Sequence, residues 1–460
     1  MAEGRGRLQR VYGALRRAWS SASPEAGDAQ LAPTLESDDD LDRLRRQLDD
    51  IVRNRGGELA ARRRAQRVAE VFLGYGHEDR RRFFLLLADH YGVDHSAVDL
   101  AMAAVESADD PRTRTAAEAE LRRSLQPQRT LIFRRFIGVE SGLAFLVQLR
   151  ADLLALGRDE QLEPVDDDLR SLLDQFFDVG LLTLEQVTWE SPAALLEKLI
   201  EYEAVHAIAS WDDLRNRLGP DRRLFAFQHP AFPNDLLIFV EVALTEGLAG
   251  NIGRLLDPDE DDPDPTSADT AIFYSISNCQ PGLAGVRLGD FLIKRVVGEL
   301  RAELPGLEYF ATLSPMPGFR AWLEEQLESD AVAGLLPEDP SRSTDDDAAL
   351  LRSALDDDTW YAVPDLVMPL ESVLPRLGAH YLLEARRGRR ARDPVANFHL
   401  SNGARVERLH FLANTERIGQ ERALGMMVNY RYSLEHLEEN HDRYLHDGTI
   451  EASDAVRELL

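Results

Sequence analysis

The chain has 460 residues, enough for two or three domains with substantial cores. Its net charge of −28 excludes a general nucleic-acid binder, which needs a basic surface. Its apolar share of 44% is ordinary for a soluble globular protein, no run approaches the ~18 apolar residues of a membrane span, and the single cysteine, Cys279, excludes an intramolecular disulfide or a multi-cysteine metal site.

In chain order, the first twenty residues are basic, with Arg5, Arg7, Arg10, Arg16 and Arg17 against Glu3 alone. They read as a disordered bacterial N-terminus, with a transit peptide as the alternative, and they lack the apolar stretch of a secretion signal. Ser, Pro, Ala and Asp dominate 21–39, so 1–39 reads as tail and linker. From 40 to 188 the apolar residues recur at three and four: Val68, Val71, Phe72, then Phe83, Phe84, Leu87, then Leu143, Leu146, Val147. This predicts an all-α bundle of roughly seven or eight helices. The arginines at 62–64 and 80–82 read as solvated helix faces, with a surface for anions or a partner subunit as the alternative.

A second domain is expected from 189 to 460. Ser191-Pro192 reads as a cap and first-turn proline for a helix that would carry His206. Residues 222–227 and 236–244 read as strands, joined by the proline-restricted HPAFPND segment. Glu241 interrupts the second strand with a charge that must face solvent or be paired. The acidic run 257–269 reads as a surface loop; it lacks the glycine and terminal glutamate of a calcium loop. Residues 272–276 alternate as a strand, Pro281-Gly282 begins a glycine-bearing turn, and Phe291 to Leu304 is an amphipathic helix. A strand at 309–313 and the turn Ser314-Pro315-Met316-Pro317-Gly318 follow. Residues 319–392 return to helices and end in the basic patch RRGRRAR. Asn402-Gly403 predicts a hairpin between strands 395–400 and 404–412, and 425–432 a last strand before polar sequence with no distinct fold signal.

Two constellations could carry chemistry. A glycine turn between strand and helix can seat a phosphate on free backbone N–H groups, or it can be an ordinary tight turn. It lacks the Gly-Lys-Ser/Thr of a P-loop and the dinucleotide fingerprint. Gln280 to Gly285 resembles the Q/R-x-x-G-x-G/A turn of the GNAT acyltransferases at its first and last positions only, with Leu283 where the middle glycine would stand. The second constellation is Ser314 with His399. A serine just after a strand donates well to a carboxylate or thioester oxygen, and a neutral imidazole exchanges a proton near pH 7. The surroundings of Ser314 are not the Gly-x-Ser-x-Gly elbow of an α/β-hydrolase.

The segments HPAFPNDLLIFVEVALTEGLAGNIGRLL, FYSISNCQPGLAGVRLGDFLIKRVVGEL, LSPMPGFRAWL, DPVANFHLSNGARVERLHFLAN and GMMVNYRY together, in this order, closely resemble the malonyl-CoA decarboxylase family. The resemblance implies an α+β fold: an N-terminal helical bundle, then a GNAT-like α/β domain with a mixed, mostly antiparallel sheet. It implies conversion of malonyl-CoA to acetyl-CoA and carbon dioxide. Motif by motif, it places the catalytic serine at Ser314, the catalytic histidine at His399 and a site tyrosine at Tyr432, with Asp393 where the family often has Asn. It places coenzyme A binding on Gly282, Gly285, Val286, Leu288, Gly289 and Asp290, with His229 of the HPAFP motif as a further candidate. Arg287 occupies a variable position and takes no role.

The reaction leaves a thioester enolate, so the substrate supplies its own electron sink and neither metal nor cofactor is expected. The family further implies a homo-oligomer, dimer or tetramer, through the helical domain. No nucleic-acid or membrane partner is expected. Bacterial cytoplasm is the expected setting and the mitochondrial matrix the alternative; the terminal RELL is not a peroxisomal address. Two other functions stay open on the residues alone: an acyl-CoA-dependent acyltransferase, and a non-catalytic CoA-binding protein.

Overall fold

The computed structural model describes residues 15, 31–177, 179–232, 235–259, 264–286, 292–336 and 344–460. Of these, the residues within Met1–Leu182, His229–Asn234 and Gln280–Arg287 form one compact unit. Those within Thr183–Gln228, Asp235–Cys279 and Leu288–Leu460 form the other. The basic N-terminal segment apart from residue 15, the centre of the acidic loop at 260–263, and 337–343 lie outside the described residues.

The first unit is helical, with α1 (Asp38–Val52), α2 (Glu58–Phe72), α3 (His77–His90), α4 (His95–Glu106), α5 (Pro111–Ser124), α6 (Gln128–Ile137), α7 (Gly142–Ala155) and α8 (Glu163–Leu173). Its helix starts are legible. Ser37 and Asp40 form a reciprocal capping box on α1. Asp110 caps α5, with Pro111 in the first turn. The core is aromatic: Phe72 meets Phe83, Phe84 and Phe145 at centroid distances of 4.9, 5.8 and 5.9 Å. Rings of this kind each remove about 150–250 Å² from water. Helix α7 shows no single apolar face because it is buried nearly all round, its Gln148, Arg150 and Asp152 included.

Of the arginines at 80–82, Arg80 is largely covered while Arg81 and Arg82 keep 42% and 38% of their side chains exposed, and all three are tied to the rest of the unit. Arg80 pairs with Asp152 at 3.2 Å, Arg81 with Asp159 at 3.1 Å, and Arg82 donates to the Leu35 carbonyl at 2.7 Å. The breaks that separate helices were visible in sequence; Asp152, Asp159 and Leu35 were not visible as partners, because each lies tens of residues away.

The second unit carries a mixed sheet of β1 (Thr183–Val187), β2 (Arg222–Gln228), β3 (Ile238–Thr245), β4 (Thr270–Asn278), β5 (Tyr309–Thr312), β6 (Ser314–Pro315), β9 (Arg405–His410) and β10 (Met427–Arg431). The order is β1-β2-β3-β4-β5-β10-β6, and β9 pairs with β10. Among the named strand pairs of the described residues, β4 and β5 are parallel, joined by the crossover helix α12 (Leu292–Glu303), and the others of this sheet are antiparallel. The fold is therefore α+β, a helical bundle followed by a mostly antiparallel sheet. The remaining helices of this unit are α9 (Ala193–Tyr202), α10 (Trp211–Asn216), α11 (Ile252–Leu255), α13 (Phe319–Glu328), α14 (Thr344–Asp356), α15 (Pro364–Leu383), α16 (Pro394–Ser401), α17 (Arg417–Ala423), α18 (Leu437–Asp447) and α19 (Asp454–Arg457).

Several sequence expectations need correction. Residues 395–400 are not a hairpin strand but lie in α16. Asp393 caps its start, Pro394 occupies its first turn, and Asn402-Gly403 ends it with Gly403 at φ +84°. A side chain on Gly403 would collide with the Leu437 carbonyl, so the glycine serves a helix end and not a two-residue turn. Helix α9 stops at Tyr202, and His206 lies in the loop beyond it. There the Glu203 carboxylate accepts from the backbone N–H of Val205 and His206, both at 2.8 Å. Its N-cap is Pro192, with no side-chain cap. The polar stretch after Tyr432 forms α18. The patch RRGRRAR forms the small hairpin β7 (Arg386–Arg387) and β8 (Arg390–Ala391).

Glu241 is fully buried in β3 and pairs with Arg217 at 3.2 Å. Burial, aggravated by nearby Glu203, pushes its carboxyl up to about 7. It is an internal ion pair, not a surface charge.

Candidate active site

Ser314 stands at the end of a short run of alternation. Thr312 and Ser314 share a strand face, and the chain then turns at Pro315 and Gly318. Strand β10 holds this edge: Val428 pairs with Ser314 and Met427 with Pro315. His399 lies in the last turn of α16. Tyr432 follows β10, its backbone N–H bonded to the Phe310 carbonyl at 2.8 Å. Three elements distant in sequence thus bring three side chains together.

The contacts form one chain. Ser314 Oγ lies 3.1 Å from His399 Nε2, and His399 Nδ1 lies 2.7 Å from the Tyr432 hydroxyl. Ser314 Oγ also lies 2.8 Å from Thr312 Oγ1, which accepts from the Tyr430 N–H at 3.1 Å. The imidazole stacks on the Tyr430 ring with centroids 4.6 Å apart. Ser314, His399 and Tyr432 are 5%, 3% and 3% exposed, so the chain is shielded from bulk water.

Burial sets the protonation. It lowers the His399 pKa to about 3, so the imidazole is neutral at working pH. The end of a helix favours a cation by about 0.3–1 kcal/mol, which burial outweighs here. Burial also raises Tyr432 well above the usual phenol range, so it stays protonated. A neutral imidazole carries one proton between two hydroxyls. Either tautomer completes the chain: Tyr432 donates to Nδ1 while Nε2–H donates to Ser314, or Ser314 donates to Nε2 while Nδ1–H donates to Tyr432.

The glycine turn belongs to the helical unit. Gly282 is the middle residue of a 3-10 turn, Pro281–Leu283. A Cβ on Gly282 would run into the Val147 carbonyl of α7, so its small size is required by packing. Arg150, paired with Asp166 at 2.7 Å, donates to the carbonyls of Gly282 and Ala284 at 2.9 and 2.7 Å. Gly285 takes φ +73°, and Val286 is buried. Leu288, Gly289 and Asp290 lie outside the described residues. His229 also belongs to the helical unit. Its Nδ1 accepts from the Ala231 N–H at 3.0 Å, its ring packs 5.0 Å from Phe177, and burial lowers its pKa.

Two members of the site were missed in sequence, Thr312 and Tyr430. The signal was present: each stands two residues before a site residue on a strand, and period two puts such pairs on one face. Among the described residues, no group of three His, Cys, Asp or Glu could hold a metal ion. A cavity of about 150 Å³ is lined by Pro315, Pro317, Val395 and Met427 among others. Val395 lies four residues before His399 on α16, a rise of about 6 Å along one helix face.

Comparison with known proteins gives a consistent result. The family model for the malonyl-CoA decarboxylase C-terminal domain matches residues 180–460, and that for the N-terminal domain matches 91–177. The mitochondrial malonyl-CoA decarboxylase of Anser anser anser is 37% identical over 417 residues, covering 86% of this chain and 83% of that protein. The rat mitochondrial enzyme is 37% identical over 400 residues, covering 81% and 80%. The crystal structure of malonyl-CoA decarboxylase from Rhodopseudomonas palustris superposes with a TM-score of 0.81 at 39% identity, covering 91% of this chain and 99% of that one. The Agrobacterium vitis structure gives the same score and identity over 90% and 98%. With both domain models matched in order and relatives of this identity covering most of both lengths, the chain belongs to the malonyl-CoA decarboxylase family.

Proposed function

We propose that this chain decarboxylates malonyl-CoA to acetyl-CoA and carbon dioxide, using the chain Ser314–His399–Tyr432 to handle the proton. Membership of the family supports the reaction class. The observation that carries the residue roles is the buried contact of Ser314 with His399, at 3.1 Å.

In the reaction the bond between C2 and the carboxylate breaks. Its electron pair enters the thioester as an enolate, carbon dioxide leaves, and C2 takes a proton. Ser314 hydrogen-bonds the malonyl group and fixes its rotamer, so that the breaking bond lies across the thioester plane. A hydroxyl donor in a water-poor site also offsets the charge that develops on the substrate. His399 acts as a relay. With Nε2 protonated and Tyr432 donating to Nδ1, Ser314 passes its proton to C2 and regains one from Nε2 while Nδ1 takes the Tyr432 proton, so His399 stays neutral. One solvent proton per turnover replaces the one delivered. The thioester is the electron sink, so the reading includes no metal and no other cofactor.

The reading extends to the setting of the protein. No helix among the described residues is long and apolar enough to cross a membrane. We expect a bacterial cytoplasmic enzyme, supported by the bacterial solved structures, and self-association through the helical unit. Helix α4 leaves Leu100 and Met102 exposed there, at 75% and 48%. Sedimentation of Leu100→Glu against wild type tests the association.

The deciding assay follows acetyl-CoA and carbon dioxide together, with purified, metal-stripped protein and no acyl acceptor. Equal appearance of both supports the reading. Acyl transfer to an added acceptor without carbon dioxide release would make the chain an acyltransferase, and binding without turnover would make it a CoA-binding protein.

A further inference from the structure

Asp393 bonds both segments that carry the reacting side chains. We infer that Asp393 is a positioning residue, tying the turn that bears Ser314 to the helix that bears His399 and so setting the contact between them.

Its four hydrogen bonds divide evenly. Oδ1 accepts from the backbone N–H of Val395 and Ala396, both at 2.9 Å, and so anchors the start of α16. His399 stands on the same helix. Oδ2 accepts from the Tyr381 hydroxyl at 3.0 Å and, at 3.5 Å, from the Gly318 N–H. Gly318 ends the turn that begins at Ser314. Tyr381 in turn packs against Phe319 and Trp322, at centroid distances of 5.6 and 5.4 Å, in the helix that follows this turn. A Cβ on Gly318 would collide with the Tyr381 hydroxyl, so the glycine keeps that hydroxyl within reach of Asp393.

The carboxylate is fully buried. A buried charge of this kind is tolerated only when its oxygens are bonded, and here the donors come from both sides. An N-cap alone would use one oxygen. The second oxygen is spent on the other segment, which is what distinguishes a clamp from a cap. Displacements near 1 Å between reacting groups can cost about 100-fold in rate.

This role rests on the proposed decarboxylation, because turnover is its readout. Three variants separate the clamp from the cap, assayed where far-UV circular dichroism shows each fully folded. Asp393→Asn keeps the cap and the shape, with the Tyr381 hydroxyl turning to accept. It should hold kcat within about threefold. Asp393→Ser caps the helix but is too short to reach Tyr381. Its kcat should fall at least tenfold with KM within about twofold. Tyr381→Phe removes only the bond to Oδ2 and should lower kcat about three- to tenfold with KM unchanged; it serves if the serine variant does not fold. Wild-type kcat in Asp393→Ser or Tyr381→Phe, or equal losses in the serine and asparagine variants, would overturn the role while the wild type still works. A wild type that releases no carbon dioxide would overturn the function reading, and this role with it.

Discussion

Ser314 and His399 lie 85 residues apart in the chain, yet Oγ and Nε2 meet at 3.1 Å inside the protein. The serine comes from a strand edge and the histidine from the end of a short helix. Neither has more than 5% of its surface exposed. Their contact therefore depends on two backbones held in register, not on local flexibility.

His399→Asn should lower kcat at least 100-fold, about 2.7 kcal/mol of barrier, with KM within about threefold. Asparagine is too short to bridge Ser314 and Tyr432 at once. Steady-state kinetics on malonyl-CoA checks it, and a loss under threefold would remove His399 from the mechanism.

Tyr432→Phe leaves the buried Nδ1 of His399 without its 2.7 Å partner. An unmet buried polar group costs about 1–3 kcal/mol. Urea unfolding should show a stability loss in that range, and kcat should fall about tenfold because the tautomer is no longer held.

Thr312→Val conserves shape and removes the hydroxyl that meets both Ser314 and the Tyr430 N–H. One such bond is worth about 0.5–1.5 kcal/mol. We expect kcat to fall by about three- to tenfold with KM little changed, and unchanged kcat would show that the rotamer of Ser314 is set elsewhere.

The acid limb of stability should carry the signature of His399. Its folded pKa is lowered to about 3, below the ordinary value of ~6.5 in the unfolded chain. Between these values the unfolded state binds the extra proton, so stability falls as pH falls. The loss from this group approaches ~1.4 kcal/mol per pH unit below pH 6.5. His206, lowered to about 4 by burial and by Arg217, adds a loss of the same sign. Chemical unfolding of wild type and His399→Asn from pH 7.5 to 4.5 tests this. The stability difference between the two should change with pH by the His399 share, and a constant difference would contradict a neutral buried imidazole.

Gly282→Ala should destabilise the protein more than Gly285→Ala. The first places a methyl group against the Val147 carbonyl, and overpacking of this kind costs about 1–3 kcal/mol or more. The second strains a backbone at φ +73° but, among the described residues, meets only the Arg170 side chain at 3.9 Å, for about 1–2 kcal/mol. Thermal melts rank the two. Equal melting temperatures would mean that α7 moves aside for the new methyl.

The sequence was most legible where one local rule acts alone. Strands β2, β3, β4, β5, β9 and β10 lie where alternation or apolar runs put them. It misled where two rules compete. Asn402-Gly403 fits both a hairpin turn and a helix end, and the cap Asp393 with Pro394 decides for the helix. It was silent where the partner is remote. Arg82 and its Leu35 acceptor, or Arg150 and its Gly282 acceptor, show no signal in either local stretch.

By itself the sequence determined the order of helices and strands over most of the chain, the lack of an intramolecular disulfide, and the motifs that hold Ser314, His399 and Tyr432. The elements and the cysteine count follow from periodicity and residue type, which are local, and the three motifs from the resemblance to the family. Only the tertiary structure decided that the three side chains form one hydrogen-bonded chain with Thr312, that His399 is neutral, and that Asp393 binds both sides of it. Those properties depend on desolvation and on distances across the fold, and burial is a property of the packed molecule, not of any segment.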